Sequence, residues 1–242
     1  MRGTTRFCGA MFALCVSCVT LAQWNPGATA RLGMGFGQIA LSQSILGNTR
    51  RIGNDSPPAQ VPAKPASSPV KLTYSADPAL SARTRTVVID TLSRTSPQLR
   101  GQLEQAFAGN AVLRQFDSYM SARGYSSHNI ADDTAELLLL SWQIVTSGTP
   151  NSRQVQGVHQ QIRDIFLGTT KLVALRDADR QDMAERIAYQ FMIVSSANRR
   201  LQKTGDPEQL ARLQQQTAAA MRQQGIEISR LRLTDQGFRK DL

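Results

Sequence analysis

The chain has 242 residues, with 28 basic and 18 acidic side chains and a formal net charge of +10. That length is ample for one hydrophobic core. About half of the basic surplus beyond the first 22 residues sits in Arg31, Arg50, Arg51, Lys64 and Lys71, and the signs are interspersed thereafter; such a balance is a solvated surface and argues against nucleic acid as a partner.

Residues 1–22 carry the pattern of an export signal. Arg2 and Arg6 make a positive start, Phe7 to Leu21 an apolar stretch, and Thr20-Leu21-Ala22 places small residues at the two positions a signal peptidase reads. The pattern predicts an exported chain, periplasmic or secreted, with no transmembrane helix once the leader is removed. A lipoprotein alternative would acylate Cys18, but the place where a lipobox carries Leu holds Cys15. Cys8, Cys15 and Cys18 are the only cysteines and all lie in the leader. The mature chain is therefore expected to hold no disulfide, no cysteine-ligated zinc and no thiol nucleophile.

Residues 23–75 read as a disordered linker. Gly27, Gly33, Gly35 and Gly37 weaken regular structure, and Pro57, Pro58, Pro62, Pro65 and Pro69 favour an extended spacer. Gln38 to Leu46 reads as coil within it. The Gly33 to Gly37 run lacks the Lys-Ser/Thr of a phosphate loop.

From residue 76 to 242 the texture is helical, and the fold class expected is all-α: one compact bundle of six or seven helices. Asp77-Pro78 opens the first helix as N-cap and first residue, with Val87, Val88 and Leu92 inward. Ser96-Pro97 opens the second, carrying Leu99, Leu103 and Phe107. Gly109-Asn110 separates it from a third, where Phe116, Tyr119 and Met120 recur at helical spacing and Gly124 makes the stop. The central helix follows, capped by Asn129 and stopped by Gly148 and Pro150. It is the most apolar stretch outside the leader, with Leu138 and Trp142 among its core residues, so several other helices must cover it. Asn151 or Ser152 caps the next, whose stripe is Val155, Val158, Ile162, Ile165 and Phe166. Asp177 or Asp179 begins a further one, with Ile187 and Phe191 inward. Asp206-Pro207 opens the last, which ends at Gly225. Residues 226–242 read as an irregular tail packing Leu231, Leu233 and Phe238, since a strand there has no evident partner.

One polar group stands out. Asp132 and Glu136 stack one turn apart at the start of the central helix, and His128 just precedes them. Two carboxylates and an imidazole can bind a divalent metal or work as acid and base. Acids in a first turn also complement the helix dipole. A zinc site wants a third strong ligand, and His159 is the only other histidine, with nothing in the sequence to place it nearby. Arg180 to Arg186 reads either as a salt-bridged helix start or as a segment setting Glu185 opposite Glu136. Tyr119, Tyr125, Trp142, Tyr189 and Phe191 read as core aromatics rather than a ligand groove. No serine-nucleophile elbow, nucleotide fingerprint, calcium loop or haem motif occurs. No catalytic residue, metal or cofactor is assigned.

Gly124-Tyr125, Asn129-Ile130-Ala131-Asp132-Asp133, Trp142, Arg180-Gln181, Ala184-Glu185, Leu233-Thr234 and Gly237-Phe238 together resemble a family of exported proteobacterial proteins known only as a domain of unknown function. The resemblance covers residues 73–242 and implies a secreted or periplasmic helical domain, with no activity to carry over. Family members have a small residue where this chain has Asp133, so the resemblance implies a special role for Asp132 before Asp133. The reading of the whole is a non-enzymatic binding or structural protein of the bacterial envelope, its partner an envelope protein or cell-wall component. The alternatives are a cell-wall hydrolase using Glu136 or Asp132, and a metal-binding module at His128, Asp132 and Glu136.

Overall fold

The computed structural model describes residues 72–95 and 97–240. The stretch read as an export signal, the cysteines, the stretch read as a linker through residue 71 with its 38–46 segment, and the Ser96 cap lie outside the described residues. The elements are α1 (Pro78–Thr95), a 3-10 turn (Pro97–Leu99), α2 (Arg100–Ala106), a second turn (Ala108–Asn110), α3 (Ala111–Ala122), α4 (Ile130–Thr146), α5 (Ser152–Leu167), the four-residue α6 (Thr170–Val173), α7 (Asp177–Thr204), α8 (Pro207–Gln223), a third turn (Ile228–Arg230), and the strands β1 (Leu231–Thr234) and β2 (Gly237–Lys240). Among the described residues, seven helices of at least seven residues form an all-α bundle, and a short hairpin closes one side.

Caps decide where most of these helices begin. Asp77 Oδ1 accepts the Ala79 N–H at 2.8 Å, and Pro78 takes the first helical position. Asn129 receives the Ala131 N–H at 3.1 Å. Asn151 and Gln154 form a reciprocal capping box. Asp206 receives the Gln209 N–H at 3.0 Å ahead of Pro207. The inner face of α1 runs through Ser81, Thr84, Val88 and Leu92, at steps of three and four. Val87, expected inward, falls beside that face and is 38% exposed.

α4 is the post of the bundle. Every residue from Ile130 to Ser141 is buried, and the helix packs against α5, α7 and α8. Leu138 from α4, Ile162 and Phe166 from α5, and Ile187 and Phe191 from α7 belong to one core cluster. Trp142 is only partly buried and packs on the rim of that cluster. A second, smaller cluster joins Val88, Ile89 and Leu92 of α1 to Phe107 and Tyr189. Among the described residues no helix is long and apolar enough to cross a membrane.

Two segments differ from the expectation. The tail is ordered: β1 pairs antiparallel with β2, in register Leu233 to Phe238 and Thr234 to Gly237. The strand partner missing from the sequence reading is the four residues just beyond the turn. Gly157 lets this hairpin approach α5, because a Cβ there would stand 2.3 Å from the Asp235 carbonyl oxygen. Gln161 then grips the Phe238 backbone, donating to its carbonyl at 3.0 Å and accepting its N–H at 2.8 Å. Trp142 Nε1 donates to the Leu231 carbonyl at 2.8 Å. At the other end, Leu72 and Tyr74, inside the stretch read as linker, are buried. Their backbones bond to the loop before α4, through Ile130 N–H to Leu72 O and Tyr74 N–H to His128 O, both at 3.2 Å. Arg180 Nε donates to Thr73 O at 3.0 Å.

Candidate functional site

The polar group at the start of α4 is completed from α5 and from the loop after α3. Asp132 and Glu136 project from successive turns of α4 toward α5, where His159 occupies a place in the apolar stripe between Val155 and Ile162. His159 Nδ1 lies 3.0 Å from Asp132 Oδ1, and Nε2 lies 3.0 Å from Glu136 Oε1. A neutral imidazole has one N–H, so two carboxylate contacts call for the doubly protonated ring. Burial works to lower the His159 pKa, but the hydrogen bonds to Asp132 and Glu136 outweigh it and hold the pKa above its ordinary value. All three side chains are nearly inaccessible, at 2–6% exposure.

Gly124 supplies the covering ring. Its φ of +80° turns the chain back after α3, and Tyr125 lies flat on His159 with ring centroids 3.4 Å apart and planes 2° from parallel. The phenol face over an imidazolium adds a cation–π contact. Tyr119 donates to Glu136 Oε2 at 2.6 Å, and Arg123 Nε donates to Glu136 Oε1 at 3.1 Å. Arg163 donates to Asp132 Oδ1 at 3.1 Å. Burial tends to raise the Glu136 carboxyl, yet the hydrogen bonds from His159 and Tyr119 and the Arg123 charge carry it below its ordinary value. Burial raises the Tyr119 phenol, with the Glu136 charge in support.

The arrangement is a chain of ionised groups, Arg123–Glu136–His159–Asp132–Arg163. Its donors point at its acceptors. A metal ion needs lone pairs that converge on one point; here each imidazole nitrogen faces a carboxylate instead. Among the described residues no group of three His, Cys, Asp or Glu side chains is arranged to hold a metal ion.

The predicted site residues separate. Asp132 and Glu136 come together, but the imidazole between them is His159. His128 is exposed, bonds to neither acid, and sets its ring 5.1 Å from that of Tyr74. Glu185 does not face Glu136. It is buried against α1, accepting from Ser81 Oγ at 2.5 Å and from Gln181 Nε2 at 2.8 Å, and burial raises its pKa. Asp182 and Arg186 form a salt bridge at 2.7 Å beside it. Of the aromatic set, Phe191 packs with Tyr119 and Tyr189 with Phe107, at centroid distances of 4.8 and 5.1 Å; Tyr119 and Tyr125 meet the polar cluster, one through its hydrogen bond to Glu136 and the other through its stack on His159. A cleft between α4, α7 and α8, lined by Leu137, Gln190, Leu213 and Met221, has room for about one water (20 Å³).

Asp133 is a separate case. It is fully buried, and neither carboxyl oxygen has a hydrogen-bond partner among the described residues. Burial, reinforced by the Asp132 and Glu136 charges, raises its pKa well above the ordinary value, which favours the neutral carboxyl in the core.

A family profile, described as a family of unknown function (DUF6683), matches residues 14–241. That span starts well before residue 73, where the resemblance seen in the sequence began. No curated protein and no solved structure matches the chain.

Proposed function

The chain belongs to this family of unknown function, and on that footing we propose that it is an exported, non-enzymatic binding or structural module of the bacterial envelope. The observation that carries the reading is the closure of the ionic chain. A catalytic acid must present its proton to substrate. Glu136 is 1% exposed and spends its oxygens on His159, Arg123 and Tyr119. Asp132 spends Oδ1 on His159 and Arg163. Such a cluster ties three segments together: the end of α3, the start of α4 and the middle of α5. Export rests on the leader pattern of Arg2, Arg6 and the Phe7 to Leu21 stretch.

Two measurements test this. Residues 1–30 fused to a phosphatase that is active only outside the cytoplasm should give an active reporter, and an inactive fusion removes export. Purified protein lacking the leader should co-sediment with isolated cell-wall sacculi or with envelope proteins and release no soluble wall fragments. Fragment release by the wild type that disappears in Glu136→Gln would establish the hydrolase instead.

A further inference from the structure

The outer face of the cluster has features that its structural role does not use. Asp132 and Glu136 bring two negative charges, and the imidazolium of His159 offsets one. One arginine would balance the rest; two are present. Asp133, the next acid along α4, is fully buried and hydrogen-bonds to neither arginine.

Both arginines are anchored from the inside and open on the outside. Arg123 reaches Glu136 through Nε and Arg163 reaches Asp132 through one terminal nitrogen, and each is about one-third exposed. Neither makes a further side-chain hydrogen bond among the described residues, which leaves guanidinium N–H groups of both without a protein acceptor; the Arg123 guanidinium also lies over the Tyr119 ring, 5.4 Å from its centroid. Tyr125 lies over the imidazole whose two nitrogens lead to the two arginines, and its hydroxyl also lacks a protein partner among the described residues. Burial and the Glu136 charge raise the Tyr125 phenol, while the Arg123 and Arg163 charges act against that rise; Tyr125 and both arginines are gathered around the His159 ring, one by its stack and two through the carboxylates that the ring bonds.

We propose that Arg123, Arg163 and Tyr125 form an oxyanion-binding site on the surface above His159, for a carboxylate or phosphate group carried by the ligand. Guanidinium forks fixed by buried carboxylates lose little freedom on binding, and planar N–H pairs match carboxylate and phosphate oxygens. The Tyr125 hydroxyl supplies a neutral donor on the same side of His159 as its stacked ring. The site deepens the binding reading above and rests on it only for the origin of the ligand. Sacculus binding tests that origin, whereas small anions test the site itself.

The test is titration of the full mature protein with sodium phosphate and, separately, sodium acetate, at constant ionic strength against chloride. Binding is followed by amide chemical shifts. The expected result is saturable binding of at least one anion, with shifts centred on Arg123 to Ser126 and on His159 to Arg163. Tyr125→Phe keeps the stack over His159, so its melting temperature should be unchanged while affinity falls about threefold to tenfold. Arg123→Gln and Arg163→Gln should each weaken binding about tenfold or more. No saturable binding of either anion overturns the proposal. So do shifts centred elsewhere, or an affinity that Tyr125→Phe and both arginine variants leave unchanged.

Discussion

His159 stands where an aliphatic residue would complete the α5 stripe of Val155, Val158, Ile162 and Phe166. That placement was the available signal: an imidazole on an apolar face must find polar partners, and the facing helix offers Asp132 and Glu136 one turn apart. Sequence proximity favoured His128, which belongs to the loop. The pairing of α4 with α5, which decides between the two, is tertiary information. Removing His159 leaves two buried carboxylates with one cation fewer. His159→Gln should therefore cost roughly 3–5 kcal/mol in chemical denaturation near pH 6; a loss under about 1 kcal/mol would mean that the buried chain of charges does not form. Asp133 behaves oppositely. Its folded pKa lies far above the ordinary 3.8, so the folded state holds a proton that the unfolded chain releases, and stability falls as pH rises above that value. Asp133→Asn should stabilise the protein at pH 7, by a margin that shrinks toward zero near pH 3. An equal effect at both pH values would show that the carboxyl's charge is not what matters.

At the scale of elements, most helix borders were legible because they depend on local chemistry. Asp77-Pro78, Asn129, Asn151 and Asp206-Pro207 are caps that act within one turn of themselves. The hairpin was not legible in the same way. Ile226, Ile228, Leu231 and Leu233 hint at alternation, but each strand has only four residues and the partner was not evident; β1 is also held by Trp142 and Gln154, and β2 by Gln161. Gly157 is the joint. Ala is the better helix former by about 1 kcal/mol, yet a Cβ at this position meets the Asp235 backbone, so Gly157→Ala should lower stability by roughly 1–3 kcal/mol through overpacking. A rise in melting temperature would show that the hairpin is not seated against α5. Trp142→Ala removes a half-buried ring and the bond to Leu231, and should cost roughly 2–3 kcal/mol, below the range for a fully buried tryptophan. Unchanged melting would remove the tryptophan as the anchor of β1.

For the whole molecule, the shifted groups set how stability follows pH. Glu136, with its pKa depressed below 4.5, contributes above that value, and the contribution is lost as pH falls through its folded pKa. His159, with its pKa raised above 6.5, contributes fully below that value and loses the contribution as pH rises through its folded pKa. Asp133 and Glu185, both raised, add to the alkaline decline. The groups facing this cluster from neighbouring elements are Tyr119, Arg123, Tyr125 and Arg163. Because the Asp133 loss begins at about 3.8 and the Glu136 gain is complete by about 4.5, the melting temperature should peak at about pH 4 to 4.5 and decline on both sides. In His159→Gln the alkaline decline should be shallower; a wild-type profile flat from pH 5 to 8 would refute the scheme.

The docking of Leu72 to Tyr74 bears on how the domain would carry load. The four hydrogen bonds that seat this segment run to Ser127 and His128 in the loop before α4, to Ile130 at its first turn and to Arg180 of α7, and the Leu72 and Tyr74 side chains are buried beside them. Tension arriving along the chain from residue 71 is therefore delivered to the base of the central helix and to the longest helix together, not to a frayed end of α1. Shear across those few bonds would be the first mechanical event, ahead of any unravelling of the bundle.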